Sequence, residues 1–287
     1  MGRGKGKVPL LGVHTSISGG ISLSLKRAEK LGCNTMQIFC HSPRSWDTPE
    51  PDEADIRQFR NLRKSLGISP VFIHCSYLIN LSSPDKGVRT RSIKLLAYEL
   101  MILEQTGADY LVLHPGRAVG QPIDVAIKLA SEAIKEATTR AGVKGRILLE
   151  NTAGQKGDIY STIENLSIIT EKAGPDSIGG LCIDTCHAFQ AGYDITTREG
   201  CDSLYSEIEE FISPLKIKLI HLNDSKRPLS SGIDRHEHIG LGYIGDNGFR
   251  VFLNHPMTRG IPLILETPKK TEKDDVRNLK KVKELLE

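Results

Sequence analysis

An α/β chain closed into a single (β/α)8 barrel of the TIM type, with its active site at the carboxyl ends of the strands, is the fold class that the sequence predicts. Three observations predict it. Short apolar runs rich in β-branched residues recur along the chain, each followed by a longer segment with helical spacing of apolar residues. The interiors of those runs (VFIH, LVLH, ILLE, LCID, KLIH and LILE) are nearly continuous in apolar residues, as parallel strands covered on both faces require. No composition break, repeat or linker divides the 287 residues, a length that single barrels of this kind reach.

Taken in order, strands are expected over 10–14, 35–40, 70–75, 110–114, 146–150, 180–184, 216–222 and 262–266. Helices are legible between them: 21–31, with Leu23, Ala28 and Leu31 on one side, 54–66, with Ile56, Phe59 and Leu62, and 92–105. Gly32, Gly67 and Gly107 each stand just past a helix, where a left-handed cap suits glycine. The segment 225–245 is the one long connection; it is rich in His, Asp, Arg and Gly, and a loop of that length in a compact barrel is usually functional. Residues 1–7 read as a basic flexible arm and 8–287 as the catalytic barrel domain. Such an arm could brush phosphates, although terminal arms are more often merely mobile.

Composition narrows the class. An apolar fraction of 39% and a charged fraction of 25% are those of a folded globular chain, which argues against disorder. No apolar run approaches the roughly 20 residues of a membrane helix, and the start lacks a signal-peptide stretch, so a cytoplasmic protein without a membrane partner is expected. The 6 cysteines (Cys33, Cys40, Cys75, Cys182, Cys186, Cys201) form no C-x-x-C pair and read as reduced thiols. With a net charge of only +3, nucleic-acid binding would have to come from local clustering of charge.

The polar residues carry the chemistry. His74, His114, Glu150, Asp184, His221 and Glu266 each end a strand run, and a parallel barrel gathers all strand ends on one face. A lone histidine there is more often a hydrogen-bonded structural residue, and an acid a helix cap. Independent accidents, however, would scatter among strand starts, middles and ends, so the coincidence points to a metal site. His187, three residues beyond Asp184, can face the same cavity from the loop, while Asp234 and His236 lie on one side of an extended segment. His187, Asp234 and His236 would complete a separate three-ligand set, with His238 competing for the place of His236. Imidazoles mixed with carboxylates suit zinc, with manganese or iron as alternatives; Cys75 and Cys186 lie beside proposed ligands and keep a cysteine ligand open. Roughly three protein ligands for each of three metals leave open coordination positions, the mark of a hydrolytic centre.

The segments GVHTSISGG, FIHCSYLINL, LVLHPG, ILLENTAGQ, IDTCHAFQAGYD, IHLNDSK, DRHEHIGLGYIG and LILETP occur in order from residue 12 to residue 268, and they resemble the signature segments of the endonuclease IV family of abasic-site repair enzymes. The resemblance implies a trinuclear zinc centre, with Mn2+ as an alternative at one site. His74, His114 and Glu150 would hold the first ion, Glu150 would bridge to a second held by Asp184, His221 and Glu266, and His187, Asp234 and His236 would hold the third. The resemblance also selects His236 over His238. It implies a class II abasic-site endonuclease, of the deoxyribonuclease IV (phage-T4-induced) type, with Glu150 and Glu266 as catalytic carboxylates. The bond cut lies 5′ to the abasic sugar, leaving a 3′ hydroxyl and a 5′ deoxyribose phosphate, and blocked 3′ ends are a second substrate. Arg44, Tyr77 and Leu78 match the residues that penetrate DNA at the lesion; without the resemblance, Tyr77 and Leu78 read as ordinary loop packing. Asn151, Asn223 and Lys226, beside ligands, could orient them or touch phosphate. The expected partner is damaged double-stranded DNA, and the expected state a monomer. The rival reading is a metal-dependent sugar isomerase or epimerase on a related barrel, against which the third ligand set argues; a lesion binder with structural zinc would lack ligands.

Overall fold

Strands that are apolar on both faces need covering on both, and a chain that alternates such strands with helices satisfies this by closing the sheet and ringing it with helices. The computed structural model, which describes residues 8–213 and 216–286, has this form. In chain order its elements are β1 (Leu11–Val13), α1 (Ser22–Lys30), β2 (Met36–Ile38), α2 (Glu53–Leu66), β3 (Val71–His74), α3 (Lys86–Thr106), β4 (Tyr110–Leu113), α4 (Ile123–Ala141), β5 (Ile147–Glu150), α5 (Ile163–Ala173), β6 (Ile178–Asp184), α6 (Thr185–Ala191), α7 (Arg198–Phe211), β7 (Ile217–His221), β8 (Asp224–Ser225), β9 (His236–Glu237), α8 (Gly245–Asn254), β10 (Leu263–Leu265) and α9 (Glu272–Leu286). The basic arm 1–7 lies outside the described residues.

The 8-stranded sheet runs β1-β10-β7-β6-β5-β4-β3-β2, with every neighbouring pair parallel. Its two ends meet: Thr15 N–H donates to Gln37 O at 2.8 Å and Asn34 N–H to Leu11 O at 3.3 Å, so β1 and β2 close the barrel. A Cβ on Gly12 would stand 1.9 Å from the Thr35 carbonyl, so this seam demands glycine. Inside the barrel Phe72, Val112, Leu148, Cys182, Leu219 and Ile264 form a small buried cluster separate from the larger one between strands and helices. These six inward side chains form the floor on which the site rests.

Each expected strand run coincides with an observed strand apart from its ends; pairing mostly stops before the apolar run does, while β6 begins at Ile178, ahead of the expected 180. Gly67 and Gly107 cap α2 and α3 in the left-handed region, and Gly32 also has a φ of 71°. Two expectations need correction. α3 starts at Lys86, not at 92, because Asp85 caps it by accepting the Val88 N–H at 2.9 Å, and its polar first turns carry no apolar spacing to reveal them. The connection 225–245 is not plain loop, since β8 and β9 form an antiparallel pair at its base.

That connection is organised by one acid. The buried Asp224 carboxylate accepts N–H groups from Ser225 at 2.7 Å, Gly240 and Gly242 at 2.9 Å, and Ile244 at 3.0 Å. Burial raises its pKa, while the same backbone donors pull the other way. Asp224→Ala strands these donors without partners, and a loss of about 3 kcal/mol in urea unfolding is expected. An unchanged unfolding midpoint would show that the segment is held by something else.

Candidate metal centre

Period-two alternation along a strand decides which residues reach the cavity. The floor residues Phe72, Val112, Leu148, Cys182, Leu219 and Ile264 point inward, so the residues two positions on, His74, His114, Glu150, Asp184, His221 and Glu266, point inward one layer higher. The same rule brings in His14 and Gln37 from β1 and β2, which the sequence reading missed. Their position, immediately past Val13 at one strand end and within β2 at the other, is the signal that would have found them.

The inward ring is a dense mixture of imidazoles and carboxylates. Glu150, wholly buried, is its centre: Oε2 lies 3.3 Å from His74 Nε2 and 3.2 Å from His114 Nε2, and Oε1 lies 2.9 Å from His221 Nδ1. His221 Nδ1 also stands 3.2 Å from Glu266 Oε2. His187 is not on a loop, as expected, but in the first turn of α6, because Asp184 caps that helix by accepting the His187 N–H at 2.8 Å. Its Nε2 lies 3.3 Å from Asp234 Oδ1, to which His236 Nε2 approaches within 3.5 Å. His236 Nε2 is also 3.6 Å from Asp184 Oδ2, and His187 Nδ1 is 3.9 Å from Asp184 Oδ1. Asp184 thus faces the His187, Asp234 and His236 group as well as the ring. His238 turns away, its Nδ1 lying 3.1 Å from the Asn278 amide nitrogen.

Neighbouring groups aim these rings. The Nδ1 atoms of His74, His187 and His236 face the carbonyl oxygens of Cys75 at 2.8 Å, Asn151 at 3.0 Å and Glu266 at 3.0 Å. A carbonyl can only accept, so each Nδ1 carries the proton and each Nε2 turns its lone pair to the cluster when the ring is neutral. Gln37 does the same for His221: its Oε1 lies 2.8 Å from His221 Nε2 while its Nε2 donates to Glu266 Oε1 at 2.6 Å. Asn223 donates to Asp184 Oδ2 at 2.7 Å and accepts the Glu266 N–H at 2.8 Å, and Asn151 pairs with the Asp184 backbone. Both therefore orient ligand candidates, whereas the exposed Lys226 reaches towards Glu237 instead.

Lone pairs aimed at carboxylate oxygens repel unless a proton or a cation lies between them. Separations of 3.2 to 3.6 Å are long for a charge-assisted hydrogen bond, but two donors bonded to one tetrahedral zinc at about 2.0–2.1 Å stand roughly 3.3 Å apart. Glu150 Oε2 and His236 Nε2 are buried here without any hydrogen-bond partner. His74, His114 and Glu150, and likewise His187, Asp234 and His236, each bring their donor atoms within 4.8 Å of one another. The donor set fits divalent metal. Without cations the cluster holds protons instead. Burial opposes charge on His187, but the Asp184 and Asp234 carboxylates overcome it and hold the ring's pKa well above its ordinary value. Burial likewise opposes charge on Glu150, yet the adjacent His114 and His221 keep its pKa well below the usual carboxylate range.

Above the ring opens a cleft of about 400 Å3, lined by His74, Tyr77, His114, Arg117, His187 and Asp234 among others. Tyr77 projects into it, 64% exposed, with its ring edge-on to Phe39 at 5.2 Å between centroids. Arg44 is exposed and close enough for its charge to act on the Tyr77 phenol, while Leu78 is half-buried. Burial of its inner part, followed by the Glu266 and Glu150 charges, pushes the Tyr77 phenol up to about 12.

The model of the xylose isomerase-like TIM barrel family matches residues 25–287, so this parallel barrel with acids and imidazoles at its strand ends belongs to that class. Sequence comparison narrows the class. A protein of Methanoculleus marisnigri named "Probable endonuclease 4" is 43% identical over 277 residues, spanning 96% of this chain and 98% of the relative. The crystal structure of endonuclease IV from Thermus thermophilus superposes with a TM-score of 0.86 at 33% identity, covering 97% of this chain and 99% of that one. The chain belongs to the endonuclease IV family. A D-tagatose 3-epimerase-like protein is similar in fold alone, with a TM-score of 0.70 at 19% identity over 96% of this chain and 97% of that one.

Proposed function

We propose that this protein hydrolyses the phosphodiester bond 5′ to abasic sites in double-stranded DNA, leaving a 3′ hydroxyl and a 5′ deoxyribose phosphate, and that it also removes 3′-blocking groups. The observation that carries the reading is the separation of His74 and His114 from Glu150 and of His187 and His236 from Asp234, 3.2 to 3.5 Å, which suits shared cations better than direct hydrogen bonds. His74, His114 and Glu150 would hold one zinc, Glu150 with Asp184, His221 and Glu266 a second, and His187, Asp234 and His236 a third, with Mn2+ as an alternative at one of them. When bound, these ions supply Lewis-acid activation of water and neutralise charge on the phosphate and the departing oxygen.

The rest falls to the chain. Glu150 and Glu266 are the catalytic carboxylates, fixed on either side of the same His221 nitrogen; Gln37 prevents the Glu266 carboxylate from swinging out, and Asn223 anchors the Glu266 backbone. The apolar floor beneath the ring keeps water out from below, so the scissile phosphate and the attacking water both enter from the mouth. Arg44, Tyr77 and Leu78, on the loops that follow β2 and β3, enter the duplex at the lesion, where a missing base lowers the cost of unstacking. The protein acts as a monomer on DNA in the cytoplasm; no helix among the described residues is long and apolar enough to cross a membrane. The test is incubation with a duplex bearing a single stable abasic analogue and identification of the cut ends; intact substrate, or a cut 3′ to the lesion, rejects the reading.

Tyr77→Ala is expected to weaken binding to abasic duplex by roughly 5- to 150-fold, the 1–3 kcal/mol of a base-to-aromatic contact, with little change on intact duplex. Equilibrium binding to both checks this. Equal losses would remove Tyr77 from lesion recognition.

A further inference from the structure

A second group of metal-binding side chains lies beneath the cleft's edge, outside the strand-end ring. Cys40 Sγ, a ring nitrogen of His41 and a carboxylate oxygen of Glu99 all lie within 4.8 Å of one another. Glu99 comes from α3 and is wholly buried; His41 is 6% exposed and Cys75 only 2%. Cys75, 2% exposed, adjoins Ser76, whose N–H is held by this same Glu99 carboxylate, and the Glu99 charge acts on its thiol. His41 Nε2 is 2.8 Å from Glu99 Oε1, and Ser76 donates its N–H to that same oxygen at 2.9 Å. One carboxylate oxygen is thus satisfied twice. The other, Glu99 Oε2, is buried without a partner, and so is His41 Nδ1. Unpartnered atoms of this kind are costly inside a protein unless something else meets them.

We propose that Cys40, His41, Cys75 and Glu99 form an additional transition-metal site, structural in kind and suited to zinc. Two thiolates, an imidazole and a carboxylate are zinc donors, and four protein ligands fill a tetrahedral ion, leaving no position for substrate. Its place gives it a task. Cys40 and His41 begin the segment that carries Arg44, Cys75 begins the one that carries Tyr77 and Leu78, and Glu99 ties both to α3. Ser76 Oγ, donating to Pro43 O at 2.8 Å, already joins the two segments at this level. The Cys75 carbonyl also anchors His74 Nδ1, so the site braces one wall of the ring as well. These four side chains would hold their ion whether or not the protein cleaves DNA.

Cobalt substitution tests it, because a thiolate bound to Co2+ gives an intense near-ultraviolet charge-transfer band that imidazoles and carboxylates do not. The band is expected in the cobalt-loaded wild type and in Cys182→Ser and Cys186→Ser, whose thiols lie near the ring, and is expected to vanish in Cys40→Ser/Cys75→Ser together with a single metal equivalent per chain. A double variant with unchanged metal content and spectrum overturns the proposal, as does a band lost in Cys186→Ser instead. Should the double variant fold poorly, the wild type compared with Cys182→Ser and Cys186→Ser answers instead: a band kept in both supports the site, and a band absent from the wild type or lost in either overturns it. Alkylation mapped by mass spectrometry should spare the half-exposed Cys40 in zinc-loaded protein and label it after chelation. Equal labelling in both states, or recovery of Cys40 and Cys75 as a disulfide, overturns it.

Discussion

Glu150→Gln should abolish strand cleavage at abasic sites, lowering the rate by at least about 10³-fold, while leaving the barrel folded. The substitution keeps size and hydrogen-bonding reach but removes the charge placed among His74, His114 and His221. Glutamine can also offer an ion just one oxygen, so the bridging place is lost and metal content should drop. Circular dichroism, elemental analysis and a nicking assay on one sample separate these effects. Full activity in this variant would remove Glu150 from the mechanism, and a collapsed fold would assign it to stability instead.

Removal of metal should be as severe, and should alter the response to pH in a defined direction. In the metal-free protein the pKa values of His187 and His221 are raised, so their protonated forms add stability that is fully present below the ordinary histidine value of 6.5 and lost as pH rises through the raised values. Glu150, Asp234 and Glu266 are lowered, so their stabilisation is present above the ordinary carboxylate range and lost as pH falls through the lowered values. Chelated protein should therefore lose cleavage completely and show a Tm that declines from neutral to alkaline pH. Loading with Zn2+ should restore activity, expel the imidazole protons into the medium and abolish the alkaline decline. Cleavage that survives exhaustive chelation, or metal uptake without proton release, would contradict this.

Much of the ring was legible in the sequence because strand ends in a parallel barrel leave a linear trace: an apolar run, then His, Glu or Asp. Glu150, His221 and His74 needed no more than that. His14 leaves that same trace at the end of the run 10–14, whereas Gln37 lies inside β2 and carries an amide, which a pattern of His, Glu and Asp at strand ends does not single out. The start of α3 escaped for a related reason, a capped polar turn without periodicity. Asp224 left no trace either, because its role depends on backbone N–H groups brought to it by the path of the 240–245 segment. His187 was found but misplaced, since Asp184 reads equally well as the end of a strand and the beginning of a helix.

The fixed offset of two residues between the floor and the ring restricts how the chain can change. Adding or deleting one residue within β3, β5 or β7 would rotate everything beyond it by half a turn, carrying His74, Glu150 or His221 out among the helices and bringing an aliphatic neighbour in. Changes of length should therefore be tolerated only on the helical returns at the opposite, amino-terminal rim, where the connections carry none of these side chains.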